Sequence, residues 1–355
     1  MDMDQNVNEG PVDFYALSRF MAIESIQGNR IRGRIFEPVN ENIENLKQVF
    51  ARNGAVAFFE KEGDGHVVSY GYLPKNRPVR LWVNILLLVL TIFTTLIVGA
   101  LHAGKNPFAG PQNLLSGIPF SLGIILILGS HELAHYLTAR AYGVDATPPY
   151  FLPVPHPMTG TMGAFIRIRS PVPSRSALVR VGVAGPLTGF LVAIPVSVVG
   201  LALSRVQPVP ENAPLLRLGS PLIFELISRL FHRLPGPGFD VVLHPLAFAG
   251  WLGMFVTALN LLPVGQLDGG HIAYAILGRR YRLFSLIIVG ALLLLGIFWL
   301  GWPFWAFLAT ILGLKHPPPL DNITPLNRTD IILALVALTV FALTFTPAPF
   351  PGAGF

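Results

Sequence analysis

Long apolar runs separated by short polar stretches occupy the chain from Leu81 onward, whereas the residues before Leu81 alternate on a shorter scale. A helix needs about 20 apolar residues, at a rise of about 1.5 Å per residue, to cross a bilayer. The longest run is interrupted by Gly301-Trp302-Pro303, so the pattern predicts six or seven transmembrane helices. The apolar runs are Leu81–Leu101, Gly117–Ala141, Ala177–Leu203, Pro245–Leu262, Leu283–Leu314 and Ile331–Phe345.

The first 80 residues have the pattern of a small soluble α+β domain. Phe14–Phe36 alternates like two strands, and Val39–Asn53 suits a helix that ends at Gly54. Two short apolar runs, Val56–Phe59 and Val67–Tyr70, flank a hairpin turn at Gly63-Asp64-Gly65. The chain is therefore predicted to divide into a soluble domain over residues 1–80 and a mainly α-helical membrane core over residues 81–355, which ends in a short tail.

Composition agrees with a polytopic membrane protein, because 52% of the 355 residues are hydrophobic and only 12% are charged. The chain has no cysteine, so disulfides and cysteine nucleophiles are excluded, and any metal ligands must be His, Asp or Glu. The net charge of +6 comes from basic residues beside apolar spans. Such residues set orientation in a membrane, and nucleic-acid binding is not expected.

Basic residues collect on one predicted side of the membrane, which should be cytoplasmic or its organellar equivalent and should carry the amino-terminal domain. The opposite side also holds arginines, in the loop before Pro245: Arg205, Arg217, Arg229 and Arg233. The residues on the first side are Lys75, Arg77, Arg80, Arg140, Arg167, Arg169, Arg175, Arg279, Arg280 and Arg282.

The second predicted span contains His131-Glu132-Leu133-Ala134-His135, which is typical of a zinc site with its own general base. Two histidines four positions apart on a helix project about 40° apart, so both can reach one metal ion. Glu132 would take the proton from a water molecule whose pKa the metal lowers. The alternative is a polar stripe on a helix without any function. However, placing three ionisable groups deep in an apolar span costs several kcal/mol of free energy, which is rarely accepted unless the groups have a function.

A third ligand is offered by Asp268, in the stretch that follows the fourth predicted span. If both spans run inward, the histidines and Asp268 lie toward the same side of the membrane. Pro263, Gly265 and Gly269 break the helix there and would let the chain turn back around a polar cavity. The alternative for Asp268 is a turn or helix-capping aspartate.

The two motifs, His131-Glu132-x-x-His135 and Asn260-x-x-Pro263-x-x-x-Leu267-Asp268-Gly269, resemble those of the site-2 protease family of intramembrane zinc metalloproteases. The resemblance implies that His131, His135 and Asp268 bind zinc, that Glu132 activates water, and that substrates are transmembrane proteins in the bilayer. It also places Asn260 beside the site, holding the substrate carbonyl or its oxyanion, although a helix-capping role is an alternative. The chain looks like the prokaryotic and plastid subgroup, which implies a prokaryotic plasma membrane or a plastid-type membrane, and it has no evident PDZ-like insertion.

Residues 160–170, between the second and third predicted spans, alternate in a way that fits a strand better than a helix. A peptide bond in an intact helix is shielded, so a substrate must unwind, and an added strand would satisfy its freed amides. Supported by the family resemblance, Gly163, Phe165 and Ile166 are the expected substrate contacts. An interfacial loop with headgroup-facing arginines is the alternative.

Two other classes of function compete with proteolysis. A zinc transporter would need sites along a path and often paired halves, and this chain has one ligand cluster and no visible repeat. A catalytically inactive membrane scaffold that retains zinc is the second alternative, against which the intact Glu132 argues. His271 is either a substitute ligand or an interfacial histidine, and His316 is expected in a loop. The sequence does not establish an oligomeric state.

Overall fold

The computed structural model describes residues 13–73, 78–208, 216–236, 238–314 and 316–351. Within them the chain forms two compact units. The first comprises the described residues up to 73 together with Ser170–Arg175 and Pro317–Leu326, and the second comprises the rest. Lys75 and Arg77, which contribute to the predicted orientation, lie outside the described residues.

The first unit is an antiparallel sheet with two helices. Its strands are β1 (Met21–Gln27), β2 (Arg30–Ile35), β3 (Ala55–Glu62) and β4 (Gly65–Tyr72), in the order β1-β2-β4-β3, and its helices are α1 (Phe14–Ser18) and α2 (Val39–Arg52). Buried residues alternate along β2 and recur at helical spacing on α2, where Ile43, Leu46 and Phe50 belong to the same core. The strands, the helix and the hairpin agree with the predicted elements. The expected strand from Phe14 begins only at Met21, because Asp13 accepts a hydrogen bond from the Ala16 N–H and starts α1.

The outer edge of β3 is covered by segments from much later in the chain. The Phe59 N–H donates to the Leu320 carbonyl (2.7 Å), and the Asn322 N–H donates to the Phe59 carbonyl (3.1 Å). Leu320 in turn donates to the carbonyl of Val172 (2.8 Å). An open strand edge is prone to pair with other chains, so these segments close it. This unit therefore extends beyond the boundary predicted at residue 80.

The second unit is mainly helical, with two short antiparallel strand pairs. Its strands are β5 (Tyr150–Pro153), β6 (Thr161–Phe165), β7 (Arg205–Pro208) and β8 (Phe239–Val242), in the pairs β5-β6 and β7-β8. Its helices are α3 (Leu81–His102), α4 (Pro111–Leu115), α5 (Ile118–Ala141), α6 (Arg175–Ala202), α7 (Leu222–Phe231), α8 (Pro245–Asn260), α9 (Asp268–Leu277), α10 (Tyr281–Leu295), α11 (Gly301–Leu312) and α12 (Arg328–Thr344).

Every apolar run of the sequence coincides with helix in the structure. Among the described residues, three helical stretches are long and apolar enough to cross a membrane: Leu81–His102, Pro111–Ala141 and Arg175–Ala202. Helix α8 is apolar but shorter. The break between α10 and α11 lies at Gly296–Leu300, just before the predicted interruption, and Gly301-Trp302-Pro303 forms the first turn of α11. A proline is tolerated there because a first-turn N–H has no partner within the helix.

Close helix packing places α5, α6 and α8 side by side. A methyl group on Gly250 of α8 would lie 2.2 Å from Ser197 Oγ of α6, and one on Gly253 would lie 2.7 Å from Ile127 of α5. Small residues allow such close approach between helices in a membrane. Helix α6 continues through Pro186, since helix-breaking residues are tolerated when neighbouring helices support the backbone.

An ion pair between helices anchors the first turns of α6. Arg180 Nε lies 2.8 Å from Asp330 Oδ1 of α12, and Arg180 Nη1 donates to the Tyr142 hydroxyl (2.5 Å) at the end of α5. Asp330 is fully buried and also forms a capping box with Asn327. The end of α5 and the starts of α6 and α12 are thus joined by one polar network.

Candidate metal centre

Three side chains from two parts of the second unit bring nitrogen and oxygen atoms together in a compact triangle. His131 and His135 project from α5, and Asp268 is the first residue of α9. His131 Nε2 and His135 Nε2 are 3.1 Å apart, and Asp268 Oδ2 lies 3.2 Å from each of them. The two histidines are 4% and 6% exposed, so the triangle is buried. The structure therefore brings together the three residues predicted as ligands.

This donor set fits zinc. Two imidazole nitrogens and one carboxylate oxygen are the ligands of many catalytic zinc sites, which keep a fourth position open. A tetrahedral ion with bonds of about 2.0–2.1 Å separates its ligand atoms by about 3.3 Å, close to the edges of the triangle. Zinc is therefore the cofactor that these residues suit.

The orientation of His135 is determined by α6. His135 Nδ1 lies 2.8 Å from the carbonyl of Val181, and because a carbonyl only accepts, Nδ1 carries the proton and Nε2 is left for the metal. The ring lies directly against Gly185, where a methyl group would come within 2.0 Å of His135 Nε2. A side chain at position 185 would displace the His135 ring.

The turn between α8 and α9 delivers Asp268 to the histidines. Tyr281, which is 1% exposed, donates from its hydroxyl to the Gly265 carbonyl (2.7 Å) within this turn. Gly269 is required by close packing, because a methyl group there would lie 2.1 Å from the Leu261 carbonyl oxygen. The breakers predicted from the sequence thus correspond to a tightly packed turn.

Glu132 is buried beside the triangle without belonging to it. It is 8% exposed, and its Oε1 lies 4.0 Å from His131 Nε2. The backbone N–H of Ile166, just after β6, interacts with its carboxylate. Asn260, the last residue of α8, places Nδ2 3.3 Å from His131 Nε2. A carboxylate and an amide therefore flank the donor triangle.

A cavity of about 220 Å³ adjoins these groups and gives them room to meet a ligand. Of the residues predicted to contact substrate, Asn260, Phe165 and Ile166 line it, and Gly163 does not. The Gly163 N–H and carbonyl both hydrogen bond to the Thr161 hydroxyl, and Gly163 has a φ of 96°. The remaining lining residues are His131, Glu132, His135, Ala164, Ile168, Val181, Gln266, Leu267, Asp268 and His271.

Strand β6 and the residues just after it have two edges, and only one of them faces this cavity. Strand β6 pairs with β5, and beyond it the Thr147 N–H donates to the Arg167 carbonyl (3.0 Å). Backbone groups of successive residues in an extended chain point to alternate sides. The Ile166 N–H accordingly points away from Thr147, toward Glu132.

Two features of this site were missed in the sequence. The Val181 carbonyl that orients His135 could not be predicted from the sequence, because every residue type has a backbone carbonyl. Gly185 belongs to the motif Gly185-Pro186-Leu187-Thr188-Gly189, which indicates close helix packing, but the ring that packs there is identified only by the fold.

Comparison with known proteins gives a consistent result. Residues 119–300 match the family model described as Peptidase family M50. The chain is 30% identical over 320 residues to "Probable zinc metalloprotease EGY1, chloroplastic" from Arabidopsis thaliana, covering 80% of this chain and 57% of that protein. It is 32% identical over 276 residues to "Probable zinc metalloprotease EGY2, chloroplastic" from Oryza sativa subsp. indica, covering 74% and 49%. The chain thus spans about half the length of the relatives it matches.

Proposed function

The chain belongs to peptidase family M50, the site-2 protease family, and from this membership we propose that it is an intramembrane zinc metalloendopeptidase. Its substrates are membrane proteins, which it hydrolyses within or near their transmembrane segments. The observation that carries the proposal is the buried triangle of His131, His135 and Asp268 with Glu132 beside it. This combination supplies both a metal site and a base, which hydrolysis of a peptide bond requires.

The three metal-binding residues and Glu132 have different roles in the proposed reaction. Zinc, when bound by the three ligands, polarises the peptide carbonyl and makes water more acidic. The Glu132 carboxylate accepts a proton from the attacking water as the water oxygen bonds to the carbonyl carbon. It then returns that proton to the amide nitrogen as the carbon–nitrogen bond breaks, leaving a carboxylic acid and an amine. The buried setting keeps other water away from these groups.

Cleavage of defined reporters by the purified full chain tests the proposal. Single-span reporter proteins are incubated with it in liposomes, and the product ends are located by mass spectrometry. We expect cuts within or next to the reporter span, loss of cleavage after treatment with a zinc chelator, and recovery when zinc is restored. Cleavage that persists after measured removal of zinc would contradict the proposal.

The competing functions give different results in the same preparation. Zinc that enters the liposomes without cleavage of any reporter would indicate a transporter. Zinc-loaded protein that neither transports zinc nor cleaves reporters would indicate a scaffold. Against transport, the described residues hold one cluster of three metal-ligating side chains, rather than a series along a path.

We propose that the substrate enters as an extended strand along the edge formed by Gly163–Ile168. The support is the Ile166 N–H, which interacts with the Glu132 carboxylate at the cavity, together with the position of Phe165 and Ile166 in the cavity lining. Gly163 would act as the bend before the edge, because its backbone polar groups are already paired with Thr161. Backbone pairing to this edge would hold an unwound segment next to the triangle.

Replacing Ile166 by proline tests this strand. Proline removes the N–H at the cavity edge, and the loss of one buried hydrogen bond costs about 1–3 kcal/mol, or roughly 5–150-fold in rate. We expect cleavage to fall by that amount while bound zinc is retained. Ile166→Ala, which keeps the N–H, is the matched control and should remain much more active. Equal activity of the two variants would contradict strand addition.

The membrane arrangement is a further part of the proposal. We propose six or seven crossings, with α8, α10, α11 and α12 joining the three long stretches. We also propose a soluble domain formed by residues 1–80, to which the segments Ser170–Arg175 and Pro317–Leu326 are added. Arg80 precedes α3 and Arg140 lies in the last turn of α5, which supports a cytoplasmic or equivalent side for the residues before α3. The names of the relatives favour a plastid-type membrane over a prokaryotic plasma membrane.

A further inference from the structure

A second histidine pair adjoins the cavity. His271 lies three residues after Asp268 on α9, so the two side chains are neighbours on one helix face, with Cβ atoms about 5–6 Å apart. His271 lines the same cavity as the metal triangle. Its Nδ1 is in hydrogen-bond contact with Nε2 of His316, which follows α11. Neither histidine belongs to the donor triangle.

The surroundings hold both rings in place. His316 is 9% exposed, and its ring stacks on Tyr274 with centroids 4.6 Å apart and planes 22° apart. Helix α9 packs tightly on α6, since a methyl group on Gly182 would lie 3.3 Å from the His271 Cβ. With Nδ1 facing His316, the other polar atom of the His271 ring is Nε2. The His271 ring is thus positioned at the cavity with one nitrogen engaged by a buried neighbour.

Apart from the predicted metal ligands, the side-chain hydrogen-bond donors that line the cavity are Asn260, Gln266 and His271. Glu132 and Asp268 are acidic, and the imidazoles of His131 and His135 are the predicted metal ligands. The Asn260 amide is close to His131 (3.3 Å). His271 instead follows Asp268 by one helical turn, so it flanks the triangle from the α9 side. Hydrogen-bond donors aimed at a developing negative charge contribute strongly to catalysis.

We propose that His271 is a catalytic residue, which donates a hydrogen bond from Nε2 to the carbonyl oxygen of the scissile bond, and that His316 positions its ring. As the water oxygen bonds to the carbonyl carbon, the π-electron pair of the carbonyl moves onto its oxygen. In this assignment His316 Nε2 donates to His271 Nδ1, which leaves the neutral His271 ring with its hydrogen on Nε2, and His271 keeps that proton throughout. This assignment rests on the proposed hydrolytic function.

Two substitutions at the same position separate the two ring nitrogens. In His271→Gln the side-chain amide can reach the Nε2 position, and in His271→Asn it reaches only the Nδ1 position. Removing one such donor lowers kcat by about 10²–10³-fold. We expect His271→Asn to show that loss with little change in KM, and His271→Gln to recover at least about tenfold of it. His316→Leu should lower kcat, with no further loss when added to His271→Asn.

A binding measurement decides the assignment without turnover. A peptide phosphinate carries a negative oxygen where the carbonyl oxygen gains charge, and its Kd is measured for zinc-loaded protein in detergent. We expect His271→Asn to weaken phosphinate binding at least about tenfold relative to His271→Gln, while the Kd of an uncleaved substrate peptide is unchanged. Zinc content should stay the same in all variants.

The outcomes distinguish this assignment from the proposed function. Equal phosphinate Kd values for the two His271 variants would overturn the catalytic role. Loss of zinc in His271→Asn would overturn it too, because it would make His271 a metal ligand. Wild-type protein that binds the phosphinate but cleaves no reporter would contradict the protease function, and the Kd values would still decide the role of His271.

Discussion

Glu132→Gln is expected to abolish reporter cleavage while the protein keeps its zinc. The glutamine amide has nearly the same shape as the carboxylate but cannot accept a proton, and loss of a positioned general base costs about 10²–10⁴-fold in rate. Glu132 lies outside the donor triangle, 4.0 Å from the nearest ligand nitrogen, so the metal should stay bound. Zinc content by mass spectrometry and the initial rate of reporter cleavage, measured on one preparation, check both parts.

A matched control for this variant is Glu225→Gln on α7. Glu225 pairs with Arg229 four positions later on an exposed helix face, so the same chemical change there should leave cleavage intact. Full activity in Glu132→Gln would remove Glu132 from the reaction and point to another base. Loss of zinc along with activity would instead make Glu132 part of the metal site.

Asp268→Asn is expected to remove zinc, and cleavage with it. Asparagine keeps the size of the side chain but loses the negative charge, which lies 3.2 Å from both histidine nitrogens. Changing a partner outside the ligand set typically costs 10–100-fold in metal affinity, so loss of a charged ligand should cost at least about 100-fold. Zinc affinity is measured by competition with a chelator of known strength.

The control for Asp268→Asn is Asp145→Asn, in which the aspartate pairs with Arg169 at 2.7 Å and lies away from the triangle. This control should keep zinc at the wild-type affinity. Unchanged zinc affinity in Asp268→Asn would exclude Asp268 as a ligand. The metal would then require a third donor other than this carboxylate, and the interpretation of the second motif would be wrong.

Local patterns in the sequence predicted most of the elements. Two histidines and a glutamate within one apolar run have few interpretations, because helix geometry alone brings His131 and His135 together. The apolar runs likewise coincide with helices, since burial in a bilayer requires continuous hydrophobicity. Alternation also predicted the strand that the structure confines to Thr161–Phe165. These are properties of short segments and need no knowledge of the whole fold.

Contacts between segments that are distant in the chain could not be predicted from the sequence. The His271 and His316 rings meet although 45 positions separate them, and the sequence placed the second in an ordinary loop. The partner of β6 was also unknown, because Tyr150–Pro153 is too short for a clear alternating pattern. Such pairings depend on how the helices pack. In a single sequence, close helix packing is indicated only by small residues such as Gly185.

The closed edge of β3 has a consequence for the order of events during synthesis. Phe59 leaves the ribosome early, whereas Leu320 and Asn322, which pair with it, leave only after helices α3 to α11. The first compact unit is therefore completed late, when nearly the whole chain has been made. Until then β3 has an open edge, so a nascent chain whose later helices fail to insert differs from the finished protein by an unpaired strand that quality-control factors can recognise.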